Sequence, residues 1–329
     1  MLHLFYNISI AAYIALIRLA APFNAKAGSW LSGRRGWKGK LKAWRENNPG
    51  RLWWIHCASL GEFEQGRPVL EALKQRHPDW KVVLTFFSPS GYEVRKNYSG
   101  ADLVIYLPAD TPAQSRAFVE LLDPGFVVFV KYEYWANYFF SCQRKGIPIF
   151  MASAILRPGQ RFFGVFSRFW KKVLACVDRF FVQDKRTMEL LADLGFNNTV
   201  LCGDTRFDRV VEVKRTAKPD VGVSQFVGER ICIVAGSTWP ADDKLLTQWL
   251  SQKKKSGLDY RMILVPHEIG HFDHEALDGT GLTLVRWSQR TNDTWENADI
   301  LLVDVMGQLS SLYRFGRLAY IGGGFGKGI

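Results

Sequence analysis

The chain has 329 residues, of which 47% are hydrophobic, and this composition excludes a globally disordered protein. About two domains are expected at this length. An excess of 43 Lys and Arg over 31 Asp and Glu gives a net charge of +12, which indicates anionic partners such as nucleic acid, a membrane surface or an acidic substrate.

Residues 4–23 are predicted to form a membrane-associated helix. Asn7 interrupts the apolar run, and Arg18 and then Pro22 end it, so the run is short for a transmembrane helix. No Lys or Arg precedes it, as a secretory signal would require. Basic flanks favour the cytoplasmic side, where anionic lipids attract them. The alternative is an ordinary buried core helix. The basic residues that follow are Arg34, Arg35, Lys38, Lys40, Lys42 and Arg45.

From residue 52 onward, strand-like and helix-like patterns alternate. The strand runs are continuously apolar, as expected when both faces of a parallel sheet are covered by helices. The predicted strands are 52–57, 81–87, 102–107, 126–130, 147–152, 178–182 and 199–202. The predicted helices are 62–76, 91–97, 112–122, 134–145, 166–175 and 185–194.

A second alternating set follows a polar stretch, 212–229, that loses the pattern and is predicted to be a linker. Its predicted strands are 230–235, 260–265, 282–286, 299–303 and 317–321, with helices at 241–252 and 307–315. The sequence therefore predicts an α/β protein with two Rossmann-like doubly wound lobes and a ligand-binding cleft between them. The predicted domains are 1–23, 24–211, 212–229 and 230–329.

The turn Ser59-Leu60-Gly61-Glu62 joins a buried strand to a helix. It places a carboxylate where open α/β sheets bind ligands, at the carboxyl end of a strand. The same spacing fits a capping box, with Ser59 as N-cap and Glu62 at the third helical position. The two interpretations are compatible.

Glycine-rich or polar turns also follow strands of the second set. Gly236-Ser237-Thr238-Trp239-Pro240 and Gly322-Gly323-Gly324-Phe325-Gly326-Lys327 could bring backbone N–H groups close to a phosphate. The latter has neither the Walker spacing nor the dinucleotide spacing, and a plain tight turn is its alternative.

The cysteine and histidine patterns bear on the redox compartment and on metal binding. Five cysteines are scattered without a Cys-x-x-Cys pair, and Cys57, Cys202 and Cys232 are predicted to be buried free thiols in a reducing compartment. His267-Glu268-Ile269-Gly270-His271 matches the zinc-peptidase pattern H-E-x-x-H, with His274 beyond it. The motif directly follows a strand-like run and contains glycine, which disfavours the helix that a zinc site requires.

Together these segments resemble the 3-deoxy-D-manno-octulosonic acid (Kdo) transferases of lipopolysaccharide synthesis. The matching pieces are Ser59-x-Gly61-Glu62, Thr85-x-x-Ser88-Pro89-Ser90-Gly91, Glu133-Tyr134-Trp135-x-Asn137, Gly203-x-x-Arg206-Phe207-Asp208, Val265-Pro266, Asp304-x-Met306-Gly307 and Gly322-Gly323. The resemblance implies the two-lobed GT-B fold with a membrane-associated amino-terminal helix at the cytoplasmic face of the inner membrane. It implies transfer of Kdo from CMP-Kdo to a lipid A precursor, with an anionic membrane surface as partner, no nucleic acid, no cofactor and no metal.

The resemblance also implies roles for particular residues. Glu62 is the expected base and Arg206 stabilises the leaving phosphate; Arg206 paired with a neighbouring Asp, and Ser237 acting only as an N-cap, are the alternatives. Substrate binding is expected from Ser59, Gly61, Ser88, Ser90, Glu133 and Asn137, although Glu133 could be a structural buried acid. Nucleotide binding is expected from Ser237, Thr238, His267, Met306, Gly307, Gly322, Gly323 and Gly324.

The chain departs from the family pattern in several places. The departing residues are Lys131, Ala136, Gln308 and the pair His267-Glu268. The family continues past the glycine loop with His-Asn-x-x-Glu, whereas this sequence stops at Ile329, so the second lobe is expected to be incomplete and the fragment inactive. Three alternatives remain: another nucleotide-sugar enzyme of this fold, a zinc hydrolase, and a non-catalytic membrane lipid-binding protein.

Overall fold

A computed structural model of the chain describes residues 2–164, 166–216, 220–289 and 297–325. The chain divides into two compact units, Met1–Arg209 and Val210–Ile329. Each unit is built around its own parallel β-sheet.

The part of the first unit that the structure describes carries seven strands. They are β1 Leu52–Cys57, β2 Lys81–Phe86, β3 Leu103–Tyr106, β4 Val127–Val130, β5 Ile149–Ala154, β6 Arg179–Val182 and β7 Thr199–Leu201. Its helices are α1 Leu2–Ala20, α2 Ala25–Ser32, α3 Trp37–Asn47, α4 Leu60–Arg76, α5 Pro89–Arg95, α6 Pro112–Leu122, α7 Ala136–Arg144, α8 Ser167–Leu174 and α9 Lys185–Asp193. Helix α10, Arg206–Thr216, spans the division between the units.

The strand order of the first sheet is β3-β2-β1-β4-β5-β6-β7, and all pairs are parallel. All six residues of β1 are buried because helices cover both faces of the sheet. The strand order reverses beside β1, so the loops that follow β1 and β4 meet at a topological switch point, where open α/β sheets bind ligands.

Within the described residues, the second unit carries five parallel strands in the order β10-β11-β9-β8-β12. They are β8 Ile231–Thr238, β9 Tyr260–Pro266, β10 Leu284–Arg286, β11 Ile300–Leu302 and β12 Leu318–Ile321. Its helices are α11 Val221–Val227, α12 Pro240–Lys255 and α13 Leu309–Leu312, with 3-10 turns at His274–Leu277, Trp287–Gln289 and Tyr313–Phe315. The predicted doubly wound α/β architecture is thus confirmed in both units.

Helix α1 is bound to the first unit by polar side chains. Tyr6 Oη donates to Asp110 Oδ2 at 2.5 Å, and Asn137 Nδ2 donates to Asn7 Oδ1 at 2.9 Å. No residue of α1 is buried, so the alternative of an ordinary core helix is wrong. The helix is long and apolar enough to cross a membrane by length and composition, and Leu4 and Leu19 expose 62% and 72% of their surface.

Two expectations drawn from the sequence are wrong. The span 212–229 is not patternless: it contains the end of α10 and the whole of α11, and Val223 and Phe226 are buried in the core of the second unit. Residues 217–219 are outside the described residues. The five cysteines are free thiols as expected, but Cys202 is exposed.

Candidate functional site

The loops that follow β1 and β2 are joined at the carboxyl edge of the first sheet. Ala58 O accepts backbone hydrogen bonds from Phe87 N at 3.2 Å and Ser88 N at 2.7 Å. Gly91 is required at this junction, since a Cβ there would lie 3.0 Å from the carbonyl carbon of Ser59 and 2.4 Å from the Phe86 ring. The predicted substrate residues Ser59 and Ser88 are therefore neighbours.

Glu62 forms the predicted capping box and keeps one oxygen available. Its Oε2 accepts a hydrogen bond of 3.0 Å from Ser59 N and also contacts Ser59 Oγ. Among the described residues, its hydrogen bonds all fall on Oε2, so Oε1 of this half-buried carboxylate is available to a substrate. The capping interpretation is confirmed. The capping box orients the Glu62 carboxylate and occupies only its Oε2.

Ser90 and Gly61 complete these two turns. Ser88 is the N-cap of α5, and its Oγ lies 2.9 Å from Ser90 Oγ and accepts from Ser90 N at 3.3 Å. Gly61 is exposed, and a Cβ there would only contact Ser59 Oγ at 3.8 Å, so packing does not require glycine at this position. The substrate roles of both residues stay predictions.

Glu133 lies on the loop after β4, next to the loops of β1 and β2. Its Oε2 accepts a hydrogen bond of 2.7 Å from Trp135 Nε1 and lies 3.5 Å from His56 Nε2, which is buried without a hydrogen-bond partner. On the other side of the ring, His56 Nδ1 lies 2.8 Å from Thr85 Oγ1. Thr85 Oγ1 accepts from Trp54 Nε1 and lies 3.4 Å from Ile55 O, to which it can donate. When the Thr85 proton goes to Nδ1 instead, the Nε2 proton of His56 is directed at Glu133.

A depression of about 450 Å³ opens beside Glu133. Its walls come from α1, from the loops after β1, β2 and β4, and from the α8 region. The lining residues are Tyr6, Ser9, Ile10, Ala58, Phe87, Tyr132, Glu133, Tyr134, Trp135, Arg161 and Trp170. Glu62 does not line it, but Ala58 and Phe87 do, and these precede Ser59 and Ser88 in the chain.

Arg206 is paired with Asp204, as the alternative interpretation proposed. Asp204 Oδ2 accepts from Arg206 Nη2 at 2.5 Å and from Nε at 2.9 Å, and the Arg206 side chain is 60% exposed. Burial opposes ionisation of Asp204, but the hydrogen bonds from Arg206 and Gln65 outweigh it and hold the pKa of Asp204 below its ordinary value. The guanidinium keeps solvent-facing donors for an anion.

Gln65 connects the loop of Arg206 to the helix of Glu62. Gln65 Nε2 donates to Asp204 Oδ1 at 3.2 Å, and Gln65 O accepts from Thr205 Oγ1 at 2.6 Å. Gln65 is fully buried one turn beyond Glu62 on α4. The two predicted catalytic residues are thus tied to a single helical turn.

Asn137 has a structural set of partners. Its Nδ2 donates to Asp110 O at 2.6 Å and to Asn7 Oδ1 at 2.9 Å, and its Oδ1 lies 2.8 Å from His3 Nε2. The Asn137 side-chain amide is buried, and both its nitrogen and its oxygen have hydrogen-bond partners within the protein. The geometry therefore favours a role in holding α1 over the predicted substrate contact.

In the second unit, Ser237 and Thr238 lie at the carboxyl end of β8. Ser237 has a φ of +55°, and the pairing with β9 shifts register between Gly236 and Thr238. The N-cap of α12 is Trp239, so the alternative that Ser237 is only an N-cap is wrong, while Pro240 does open the helix as predicted. Strained backbone of this kind concentrates at functional sites.

The glycine turn after β12 packs against Ser237. A Cβ at Gly322 would lie 2.4 Å from Ser237 O, and Gly322 N donates to Gly236 O at 2.9 Å. Gly323 has a φ of +97° and its N–H donates to Asp242 Oδ2 at 2.9 Å. A Cβ at Gly324 would meet nothing within 4 Å. Gly326 and Lys327, which extend the predicted loop, lie outside the described residues.

Three further predicted nucleotide-binding residues follow β9 and β11. His267 N donates to Thr238 O at 2.9 Å, and its ring stacks on Trp239 with centroids 4.8 Å apart. Met306 exposes 82% of its surface and Gly307 has a φ of +84°. The structure brings His267 to Thr238, whereas Met306 and Gly307 form no hydrogen bond with Ser237 or Thr238 among the described residues.

The H-E-x-x-H motif does not lie on a helix. Strand β9 ends at Pro266, Gly270 has a φ of +87°, and the following 3-10 turn begins at His274. His271 Nδ1 instead pairs with Glu268 Oε2 at 2.7 Å. In the part of the chain that the structure describes, no group of three His, Cys, Asp or Glu side chains is arranged for a metal ion. The geometry expected of a zinc peptidase is therefore not present in these residues.

Four positioning residues were not predicted from the sequence as site residues: His56, Gln65, Asp110 and Asp242. Asp242 is buried and joins α12 to the glycine turn, accepting from Trp239 N at 3.0 Å and from Tyr320 Oη at 2.6 Å. The sequence indicates only that Asp242 lies in the first turn of a helix. Its partners Tyr320 and Gly323 are 78 and 81 residues away in the chain, so the sequence does not reveal them.

Two parallel α/β units with polar and glycine-rich turns at the carboxyl edges of their sheets are typical of nucleotide-sugar enzymes of the GT-B class. The chain has this fold in common with a solved UDP-GlcNAc 2-epimerase from Methanocaldococcus jannaschii, at a TM-score of 0.53 and 13% identity over 83% of this chain and 78% of that one. A second solved UDP-N-acetylglucosamine 2-epimerase matches with a TM-score of 0.53 and 11% identity over 82% of this chain and 74% of that one. These similarities concern the fold alone.

The family is shown by sequence. Residues 35–209 match the model of the family described as 3-Deoxy-D-manno-octulosonic-acid transferase (kdotransferase). The chain therefore belongs to the Kdo transferase family and is a glycosyltransferase.

Curated relatives agree with this assignment. A 3-deoxy-D-manno-octulosonic acid transferase of Aquifex aeolicus is 28% identical over 287 residues, covering 85% of this chain and 71% of the relative. One from Haemophilus influenzae is 24% identical over 326 residues, covering 97% and 74%. One from Chlamydia muridarum is 25% identical over 285 residues, covering 84% and 65%. The chain thus covers between 65% and 74% of the length of these relatives.

Proposed function

We propose that this protein transfers Kdo from CMP-Kdo to a lipid A precursor. The supporting observation is the oriented Glu62 carboxylate, with Oε2 held by Ser59 and Oε1 available, at the carboxyl edge of a parallel sheet in a chain of the Kdo transferase family. In this proposal the first unit binds the acceptor and the second unit binds the nucleotide.

The reaction is a direct displacement in which Glu62 is the base. A hydroxyl oxygen of the acceptor forms a bond to the anomeric carbon of Kdo as the bond from that carbon to the phosphate oxygen of CMP breaks. The hydroxyl proton goes to Glu62 Oε1, and the leaving oxygen keeps the electron pair. A sugar hydroxyl is a weak nucleophile, so removal of its proton in the transition state accelerates the reaction.

Arg206 and backbone donors stabilise the departing phosphate. Arg206 is exposed, so it can add hydrogen bonds to an anion beside its pair with Asp204. The Ser237, Thr238 and Gly322–Gly324 turns supply further donors, and His267, Met306 and Gly307 border the nucleotide. We propose that no divalent ion is needed, because CMP has a single phosphate to neutralise.

We propose that the protein acts at the cytoplasmic face of the inner membrane, with α1 lying on the bilayer. Membrane association is general in this family. The helix contacts its own unit through Tyr6 and Asn7, while Leu4, Ile8 and Leu16 expose 62%, 55% and 64% of their surface. Such a helix suits an interfacial position, and it would hold the depression beside Glu133 close to a lipid acceptor.

The test is transfer of radiolabelled Kdo by the protein expressed from its complete open reading frame. CMP-Kdo and a purified lipid A precursor should give a labelled lipid product, and CMP should be released in equal amount. Release of CMP without a labelled lipid would indicate a different acceptor. Vesicle binding with no turnover of CMP-Kdo would instead support a non-catalytic lipid-binding protein.

A further inference from the structure

We propose that the first unit binds one anionic phospholipid in a depression formed by α1, α2, α3 and α6. The depression has a volume of about 1000 Å³ and lies at the carboxyl-terminal end of α1. Its lining includes Arg18, Trp30, Arg35, Trp37, Lys38 and Ala113. This site goes beyond the proposed transfer reaction and does not depend on it.

The charge of the depression is complementary to a phosphate headgroup. Arg18, Arg35 and Lys38 are exposed, and none of them forms an ion pair with any of the described residues. The lining contains no Asp or Glu. Three converging cations without a counter-ion attract an anion, and arginine offers paired donors for phosphate oxygens.

Arg34 builds the floor of the depression and adds to its positive potential. Its guanidinium donates to three backbone carbonyls, those of Leu107 at 2.8 Å, Trp30 at 3.0 Å and Phe87 at 2.7 Å. Burial lowers the pKa of Arg34 to about 9, so the group is still charged at neutral pH. Because carbonyls neutralise none of that charge, the floor contributes a fixed positive charge beneath the exposed cations.

Apart from the cations and Gln114, the lining is apolar, which favours a lipid over a soluble anion. Ile14, Leu31, Trp37, Ala113 and Ala117 provide aliphatic and aromatic walls. The volume greatly exceeds that of a phosphate group and falls in the range of sites that enclose drug-sized ligands. It therefore leaves room for a glycerol backbone and the first part of an acyl chain.

The neighbouring surface connects the depression to a bilayer. Leu16, Leu19 and Phe23 flank Arg18 and Pro22 in the chain and expose 64%, 72% and 92% of their surface. Apolar side chains and headgroup-binding cations thus occur at the same end of α1, which is the arrangement of an interfacial anchor.

This depression is separate from the one beside Glu133. The two depressions share no lining residue, although α1 borders both. Tyr6, Ser9 and Ile10 line the depression beside Glu133, and Ile14 and Arg18 line the proposed phospholipid site. A phospholipid bound at the proposed site would fix the carboxyl-terminal end of α1 on the membrane and leave the depression beside Glu133 open.

The test measures binding of dioctanoyl phosphatidylglycerol to the full-length protein by native mass spectrometry and calorimetry. The comparison ligands are dioctanoyl phosphatidylcholine, glycerol phosphate and inorganic phosphate. We expect one phosphatidylglycerol per chain, with affinity at least about tenfold above each of the others, since both a charge-assisted contact and apolar burial are needed. Equal affinity for glycerol phosphate or inorganic phosphate would overturn the proposal in favour of a soluble anion.

Matched charge variants separate the depression from general surface charge. R35Q/K38Q removes two lining cations, whereas K40Q/K42Q removes two from α3 that do not line it, with Lys42 paired to Glu46 at 3.8 Å. The first variant should weaken phosphatidylglycerol binding about tenfold or more and the second less than about threefold. Equal losses would mean diffuse attraction only and would contradict the proposal.

A filling variant tests the depression without changing charge. Ala113 is exposed on α6, so Ala113→Trp fills the space while leaving the core intact. It should also weaken phosphatidylglycerol binding about tenfold, with unchanged thermal unfolding. If R35Q/K38Q and Ala113→Trp raise KM for the lipid A precursor and leave phosphatidylglycerol binding unchanged, the depression is an acceptor subsite, and the proposal is wrong.

Discussion

Gln65 Nε2 donates a hydrogen bond of 3.2 Å to Asp204 Oδ1 and thereby joins two segments that are 139 residues apart in the chain. The first is the helical turn that carries Glu62, and the second is the loop on which Asp204 holds Arg206. In the proposed mechanism Glu62 is the base and Arg206 is the cation that stabilises the phosphate. These groups must keep a fixed separation during transfer, so we propose that this hydrogen bond is a positioning contact.

Replacement of Gln65 by Met should therefore slow turnover more than it destabilises the fold. The variant keeps the length of the side chain and the Thr205 bond to the backbone oxygen but loses the bond to Asp204. We expect kcat to fall roughly tenfold and KM to change little, because small misplacements of reacting groups are costly. Steady-state kinetics and thermal unfolding check this. An unchanged kcat with a lowered Tm would leave Gln65 a purely structural role.

Asp110 makes the stability of the first unit depend on pH. Burial raises the pKa of Asp110 to about 6 from an ordinary 3.8, against opposing hydrogen bonds from Tyr6, Asn137 N and Tyr138 N and the charge of His3. The folded state therefore binds the proton more tightly than the unfolded state, and this carboxyl lowers stability as pH rises from about 4 to about 6.

Denaturant unfolding of the wild type and of Asp110→Asn at several pH values tests this linkage. The wild type should lose on the order of 2 kcal/mol relative to the variant between pH 4 and pH 7. Asparagine keeps a hydrogen-bonding oxygen but cannot titrate. Parallel pH profiles for the two proteins would show that Asp110 has no such shift.

The outward face of α1 should determine membrane binding. L16Q/L19Q removes two exposed apolar side chains while preserving the polar contacts of Tyr6 and Asn7. Vesicle partitioning should fall by about tenfold or more. Complete burial of a leucine side chain in the bilayer contributes about 1.5–3 kcal/mol to binding, and partial burial contributes less. The control is L245Q/L258Q, exposed leucines of the second unit. Flotation assays should show the control variant still bound to vesicles. An equal loss of vesicle binding in both variants would contradict the role of α1 in membrane binding.

Transfer should survive chelation. The nucleotide donors that we propose are Arg206, Ser237, Thr238 and glycine-rich backbone, and the described residues contain no trio of His, Cys, Asp or Glu arranged for a metal. We expect the rate in EDTA to match the rate in added magnesium. Activity lost in EDTA and restored by zinc would contradict this mechanism and revive a role for His267 and His271.

The first sheet could be predicted from sequence because its strands are buried on both faces. Strand β1 begins and ends as predicted, and α6 does too, since Thr111 and Pro112 mark its start by capping and fixed φ. The stretch 212–229 could not be interpreted in this way. Its helix α11 buries only Val223 and Phe226, which is too few apolar positions to show a period.

The candidate site was only partly predictable, and for a physical reason. Glu62 stands at a strand–helix turn, where a short motif specifies both geometry and chemistry. Asn137 was assigned to substrate because its sequence neighbourhood shows nothing of Asn7 and His3, which are 130 and 134 residues away. His56 and Asp242 likewise acquire their roles from partners that only the folded chain brings near.

The most direct test of the account is the turnover of Glu62→Gln in the full-length protein. Glutamine still accepts the hydrogen bond from Ser59 N, as capping boxes with Gln do, but it cannot take a proton. The matched control is Glu64→Gln, which removes a carboxylate of the same helix that pairs with Arg95 at 2.8 Å. We predict that Kdo transfer falls about 10²–10⁴-fold in Glu62→Gln and stays near wild type in the control, with both variants folded. Wild-type turnover in Glu62→Gln would contradict the assignment of Glu62 as the base.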